Sequence, residues 1–85
     1  MEPDADLKYR IDQAFFNIIE VRSDMREDLR RMWRHVRDLW NQLDQELVNC
    51  RRLNKTTALY SELEIGLRES LENLEGYITW GHLRG

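Results

Sequence analysis

Residues 4–65 read DADLKYRIDQAFFNIIEVRSDMREDLRRMWRHVRDLWNQLDQELVNCRRLNKTTALYSELEI, without one glycine or proline. Those two residues are the strongest breakers of regular structure. Apolar side chains recur through the stretch at steps of three or four: Leu7, Ile11, Ala14, Ile18, Val21, Met25, Leu29, Met32, Val36, Leu39, Leu43, Leu47 and Cys50. The mean step is about 3.6, the period of a straight α-helix and not of a supercoiled heptad. Phe15, Ile19, Trp33 and Trp40 widen the stripe on one flank, as in a bundle helix packed against more than one neighbour. The fold class is all-α.

The first helix is expected to start among residues 4–6, where acids suit the positive end of the helix dipole. It is expected to end near 53, with Arg51 and Arg52 at the negative end and Asn54 able to take the left-handed cap conformation. Thr56 or Thr57 can cap a second helix over about 57–80, whose apolar row is Tyr60, Leu63, Leu67, Leu71, Leu74 and Ile78. Gly66 and Gly76 lie off that row, and each weakens the helix by about 1 kcal/mol relative to Ala. Residues 81–85 read as a frayed tail. The whole of 1–85 is a single helical domain.

One boundary stays open. Ser23 and Asp24, with Glu27 three residues on, read as a helix start. The first helix is therefore either unbroken over 5–53 or broken near 23. The missing Gly and Pro favour the unbroken form, which at about 1.5 Å per residue is about 70 Å long. The second helix is too short to cover it, leaving Ile11, Phe15, Ile18 and Ile19 bare, a patch monomers rarely tolerate. With Trp33 and Trp40 these form the expected oligomer interface, most simply in an antiparallel two-fold dimer. A break near 23 instead permits a monomeric three-helix bundle, although the broad Trp33 and Trp40 flank still favours association. Either way the expected assembly is an oligomeric helical bundle of coiled-coil kind.

At 85 residues, 34% charged and 41% hydrophobic, the chain is too apolar and periodic for a disordered tail. No apolar run is long enough to span a bilayer, so no membrane association is expected. The acidic start lacks the features of a signal peptide, and a cytoplasmic or nuclear setting follows, in a cell or as a viral product in an infected one. Cys50 is the lone cysteine and falls on the apolar stripe, where a thiol acts as a small hydrophobe.

The net charge of −3 argues against a general polyanion binder, yet the charge is uneven. Residues 22–37 hold six arginines against three acids, and residues 62–75 hold five glutamates against one arginine. Arg22, Arg26, Arg30, Arg34 and Arg37 form a row, centred about 120° from the apolar stripe at about 100° per residue. Like charges one turn apart destabilise a helix by about 0.2–0.5 kcal/mol per pair. A counter-charge is therefore expected: Glu62, Glu69 and their neighbours or Glu27 within the fold, Asp and Glu of another protomer, nucleic-acid phosphate, or an acidic partner protein. His35 would add a phosphate contact if the row binds nucleic acid. Arginine's planar fork suits phosphate, and duplex RNA is read largely by shape and backbone. In concept alone such a row resembles viral silencing suppressors that sequester duplex RNA with a dimeric helical bundle; no sequence motif carries the likeness.

Catalytic, cofactor and metal residues are expected to be none. His35 and His82 have no second ligand at metal spacing, the serines lack a nucleophile's strand-turn-helix setting, and no phosphate-binding glycine loop occurs. Asn54-Lys55-Thr56 matches a glycosylation acceptor but reads as a capping turn. Tyr77, Trp80 and His82 form either a docking cluster or the closed end of a bundle. The expected function is a non-enzymatic, dimeric scaffold or adaptor that presents helix faces to a protein partner. The alternative is a dimeric binder of double-stranded RNA, or DNA, through Arg22, Arg26, Arg30, Arg34, His35 and Arg37. A regulatory inhibitor masking a larger enzyme is a third form of the first reading.

Overall fold

The computed structural model describes residues 5–84, with side chains through Gly81. Three helices follow in order, α1 (Ala5–Ile19), α2 (Ser23–Leu53) and α3 (Ala58–Arg84). The expectation of an unbroken first helix is thereby corrected. The last turn of α1 tightens, with Glu20 N–H donating to the Asn17 carbonyl at 3.2 Å and Val21 N–H to Ile18 at 3.1 Å. Arg22 then turns extended, at φ −52° and ψ 142°, and the chain reverses. None of these angles requires glycine, so the lack of Gly and Pro did not forbid the elbow.

Burial decides between the two forms. The elbow gives up a few helical hydrogen bonds, each worth about 0.5–1.5 kcal/mol net. Folding back buries Leu7, Ile11, Ala14 and Ile18 to 2% exposure or less, and each large aliphatic gains about 1.5–3 kcal/mol. Burial wins. The Ser23 start signal located the elbow, although its capping box does not form: Arg22 precedes the helix without a side-chain cap. Asp24 accepts from the Arg22 guanidinium at 3.1 Å instead.

The α2–α3 turn closes as the sequence suggests. Asn54 adopts φ 55° and ψ 38°. Its N–H donates to Arg51 at 3.2 Å, and Lys55 N–H reaches Cys50 at 3.1 Å, the paired bonds of a Schellman cap. Thr57 is the residue that caps α3, its hydroxyl accepting from Tyr60 N–H at 3.2 Å and donating to Glu46 at 3.2 Å. Cys50 is buried, in contact with the Thr57 hydroxyl at 3.5 Å.

One apolar core runs through all three helices and the elbow, from Leu7 to Ile78, with Met25, Met32, Trp33 and Leu39 packed on its rim. The result is a rod of 48 × 18 × 14 Å, its length set by α2. The tail expected to fray continues as helix to Arg84, and Gly81 is buried. A Cβ built at Gly81 would lie 2.9 Å from Val21 Cγ1 and 3.3 Å from Met25 Cε. The end of α3 thus packs onto the α1–α2 elbow at a distance that only glycine permits. No helix among the described residues is long and apolar enough to cross a membrane.

Candidate functional site: an aromatic and basic face on α1 and α2

α1 docks on the Trp33 flank of α2. The Trp33 indole N–H donates to the Ile11 main-chain carbonyl at 2.9 Å. Phe15 packs on the Trp33 ring, with centroids 4.8 Å apart and planes tilted by 51°. Phe16 meets Phe15 edge-on at 5.9 Å. α1 is also held to α3, where the Arg10 guanidinium grips both carboxylate oxygens of Glu75. That hydrogen-bonded pairing raises the Arg10 pKa above its ordinary value, with burial opposing it. Both side chains keep about a third of their surface in water, so solvent screening limits the pair to the range of an exposed salt bridge, under about 1 kcal/mol.

This docking corrects the expected oligomer interface. Ile11 and Ile18 are 1% exposed and Trp40 9%, so the chain's own core takes them. Folding α1 back is the cause. Phe15 and Ile19 stay 40% and 49% exposed, joined by Phe16 at 59%, while Trp33 is half-buried. Phe16 was missed because it lies off the 3.6-residue stripe; its only signal was a second aromatic directly after Phe15. Arg10 and Glu75 were missed because no local spacing links residues so far apart in sequence.

The arginine row divides. Arg22 is bound by Asp24. Arg26 turns its guanidinium inward, with Nη2 donating to the Val21 carbonyl at 2.9 Å and Nε buried without an acceptor among the described residues. Arg31 lies 3.7 Å from both Glu27 and Asp28. Arg30, Arg34 and Arg37 make no ion pair with any described residue, and Glu62 and Glu69 do not reach the row. The in-chain neutralisation expected from Glu62 and Glu69 is therefore absent among the described residues. His35 falls about 140° around α2 from the row's centre.

Two shallow hollows meet at Trp33. One, of about 310 Å³, is lined by Asp12, Phe15, Phe16 and Trp33. The other, of about 520 Å³, is lined by Trp33, Arg34, His35, Arg37 and Asp38. Trp33 thus stands between an aromatic hollow that also holds Asp12 and a basic one that also holds Asp38. On the far side of α2, Arg31, Met32 and His35 face Ser70 and Asn73 across a third hollow. Tyr77 and Trp80 are about half exposed and line a fourth hollow with Asn73. They do not close the bundle end; Gly81 does. The side chain of His82, grouped with them from sequence, lies outside the described residues.

No group of three or more His, Cys, Asp or Glu side chains among the described residues is placed to hold a metal ion. The chain matches no known protein family, no curated protein and no solved structure.

Proposed function

We propose that this chain is a non-enzymatic interaction module, a scaffold or adaptor, whose α1/α2 face binds an acidic amphipathic helical segment of a protein. The observation that carries this reading is the juxtaposition at Trp33. Phe15 and Phe16 stay exposed beside it, and three arginines near it, Arg30, Arg34 and Arg37, make no ion pair with a described residue. An apolar anchor on the ligand would enter the aromatic cleft. Its carboxylates would meet Arg34 and Arg37, where arginine's fork forms charge-assisted hydrogen bonds. Such an arrangement selects for an acidic face and an apolar face on one ligand, as helix-in-groove recognition does.

The test is fluorescence anisotropy with a labelled acidic amphipathic peptide and, as a control, the same composition scrambled to destroy the apolar face. Saturable binding of the first only is expected, weakened at least about tenfold in Arg34→Glu/Arg37→Glu, or about 1.4 kcal/mol. No binding even at low salt refutes the reading.

The second reading is a binder of duplex RNA. It is supported by Arg30, Arg34 and Arg37, which make no ion pair with a described residue, and weakened by Arg22 and Arg26 being bonded within the chain. Phosphate binding weakens steeply with salt. Retention of duplex RNA in a native gel at low salt, lost at moderate salt and in Arg30→Glu/Arg34→Glu, would favour it over the peptide.

A further inference from the structure

α3 is amphipathic only in part. Besides its buried row it exposes Leu59, Ile65, Tyr77 and Trp80, Ile65 at 58%. An apolar residue that far from the core sits between two acids, Glu62 and Glu69, both exposed and neither in an ion pair with a described residue. The spacing of this triplet, 62–65–69, is three and then four. The basic face of α2 has the same spacing with the opposite charge, in Arg30, Trp33 and Arg37. In each triplet the charged pair spans two helical turns, about 10.5 Å, with the apolar residue between them.

We infer that the acidic helix received by the α1/α2 face is the outer face of α3 from a second copy of this chain. The inference rests on the reading given above for that face and names its partner. Glu62 and Glu69 of one copy neutralise Arg30 and Arg37 of the other, and Ile65 seats at the Trp33 cleft. The α1/α2 face and the outer face of α3 lie on opposite sides of the three-helix bundle, so the contact is head-to-tail and each copy offers one face to each of two neighbours. Charge complementarity fixes register more than affinity, so the apolar residues supply the attraction and the rows choose the pairing. Among the described residues no ion pair joins the two rows within one chain, which leaves them available between chains.

The test uses full-length chains and sedimentation velocity, with far-UV circular dichroism to establish that each variant remains helical. The wild type is expected to self-associate head-to-tail at micromolar concentration, its sedimentation coefficient rising with concentration and falling with salt. Arg30→Glu/Arg37→Glu and Glu62→Arg/Glu69→Arg are each expected to run as monomers, because each sets like charges opposite one another. Mixing the two variants makes every head-to-tail contact between unlike variants complementary and is expected to regain the association. A wild type that stays monomeric overturns the inference, as does an assembly that survives both reversals or a mixture that fails to associate. The peptide titration separates the two proposals. A monomeric chain that still binds the acidic peptide loses the second copy as partner but keeps the face, whereas one that binds neither loses both.

Discussion

Trp33 and Ile11 are joined by a hydrogen bond from the indole N–H to a main-chain carbonyl inside α1, at 2.9 Å. It ties a side chain of the longest helix to the backbone of the shortest. Replacing Trp33 with Phe keeps an aromatic ring against Phe15 and removes the donor. The expected cost is about 0.5–1.5 kcal/mol, that of one net hydrogen bond. Trp33→Ala also loses the ring and should cost more, about 3 kcal/mol, the low end for an aromatic truncation because Trp33 is only half-buried. Urea unfolding of the three proteins measures both. A Trp33→Phe protein as stable as wild type would show that the tether contributes nothing.

The helical stripe was legible because core burial and helical period coincide. Leu7, Ile11, Ala14, Ile18, Leu29, Val36, Leu43, Leu47 and Cys50 are all buried where the spacing placed them. The same periodicity masked the elbow, which only the start signal at Ser23 marked. Val21 sits in the connection yet remains 2% exposed, so the steps from Ile18 to Val21 to Met25 keep helical spacing across a break. Periodicity reports which residues face the core, not whether the chain between them stays straight. The candidate face was half legible. Arg30, Arg34, Arg37 and Trp33 could be grouped from one helix, but Phe15 and Phe16 joined them only through the reversal at Arg22. The inward turn of Arg26 depends on the Val21 carbonyl freed at that same elbow, which no spacing rule supplies.

The glycines of α3 should respond oppositely to alanine. Nothing lies within 4 Å of a Cβ built at Gly66. Gly66→Ala should therefore raise stability by roughly the helix-propensity difference, about 0.8–1 kcal/mol. At Gly81 the same gain is opposed by the contact with Val21 Cγ1 at 2.9 Å, and overpacking of this kind costs about 1–3 kcal/mol. Gly81→Ala is expected to be destabilising on balance, with the damage centred on the elbow. Thermal unfolding of the two variants side by side checks this. A Gly81→Ala protein stabilised as much as Gly66→Ala would mean that the α3 end does not press on Val21.

Tyr60 gives the fold an alkaline limit. It is 4% exposed, and burial, reinforced by Glu64 and Cys50 and opposed by Arg68, raises its pKa above the ordinary 10.0. The buried phenol resists ionisation, whereas the unfolded chain loses this proton as pH passes about 10. Above that pH the native state holds more protons than the unfolded one, so stability falls as pH rises. The contribution is fully present below pH 10 and disappears as pH climbs through the higher folded value. Tyr60→Phe keeps the ring and cannot titrate. Urea unfolding at about pH 8 and about pH 11 should show the wild type losing more stability between the two than Tyr60→Phe does. Other tyrosines and lysines titrate in the same window, which makes the difference between the two proteins the informative quantity. Equal losses in both would mean that the Tyr60 hydroxyl is as well solvated in the native chain as in the unfolded one.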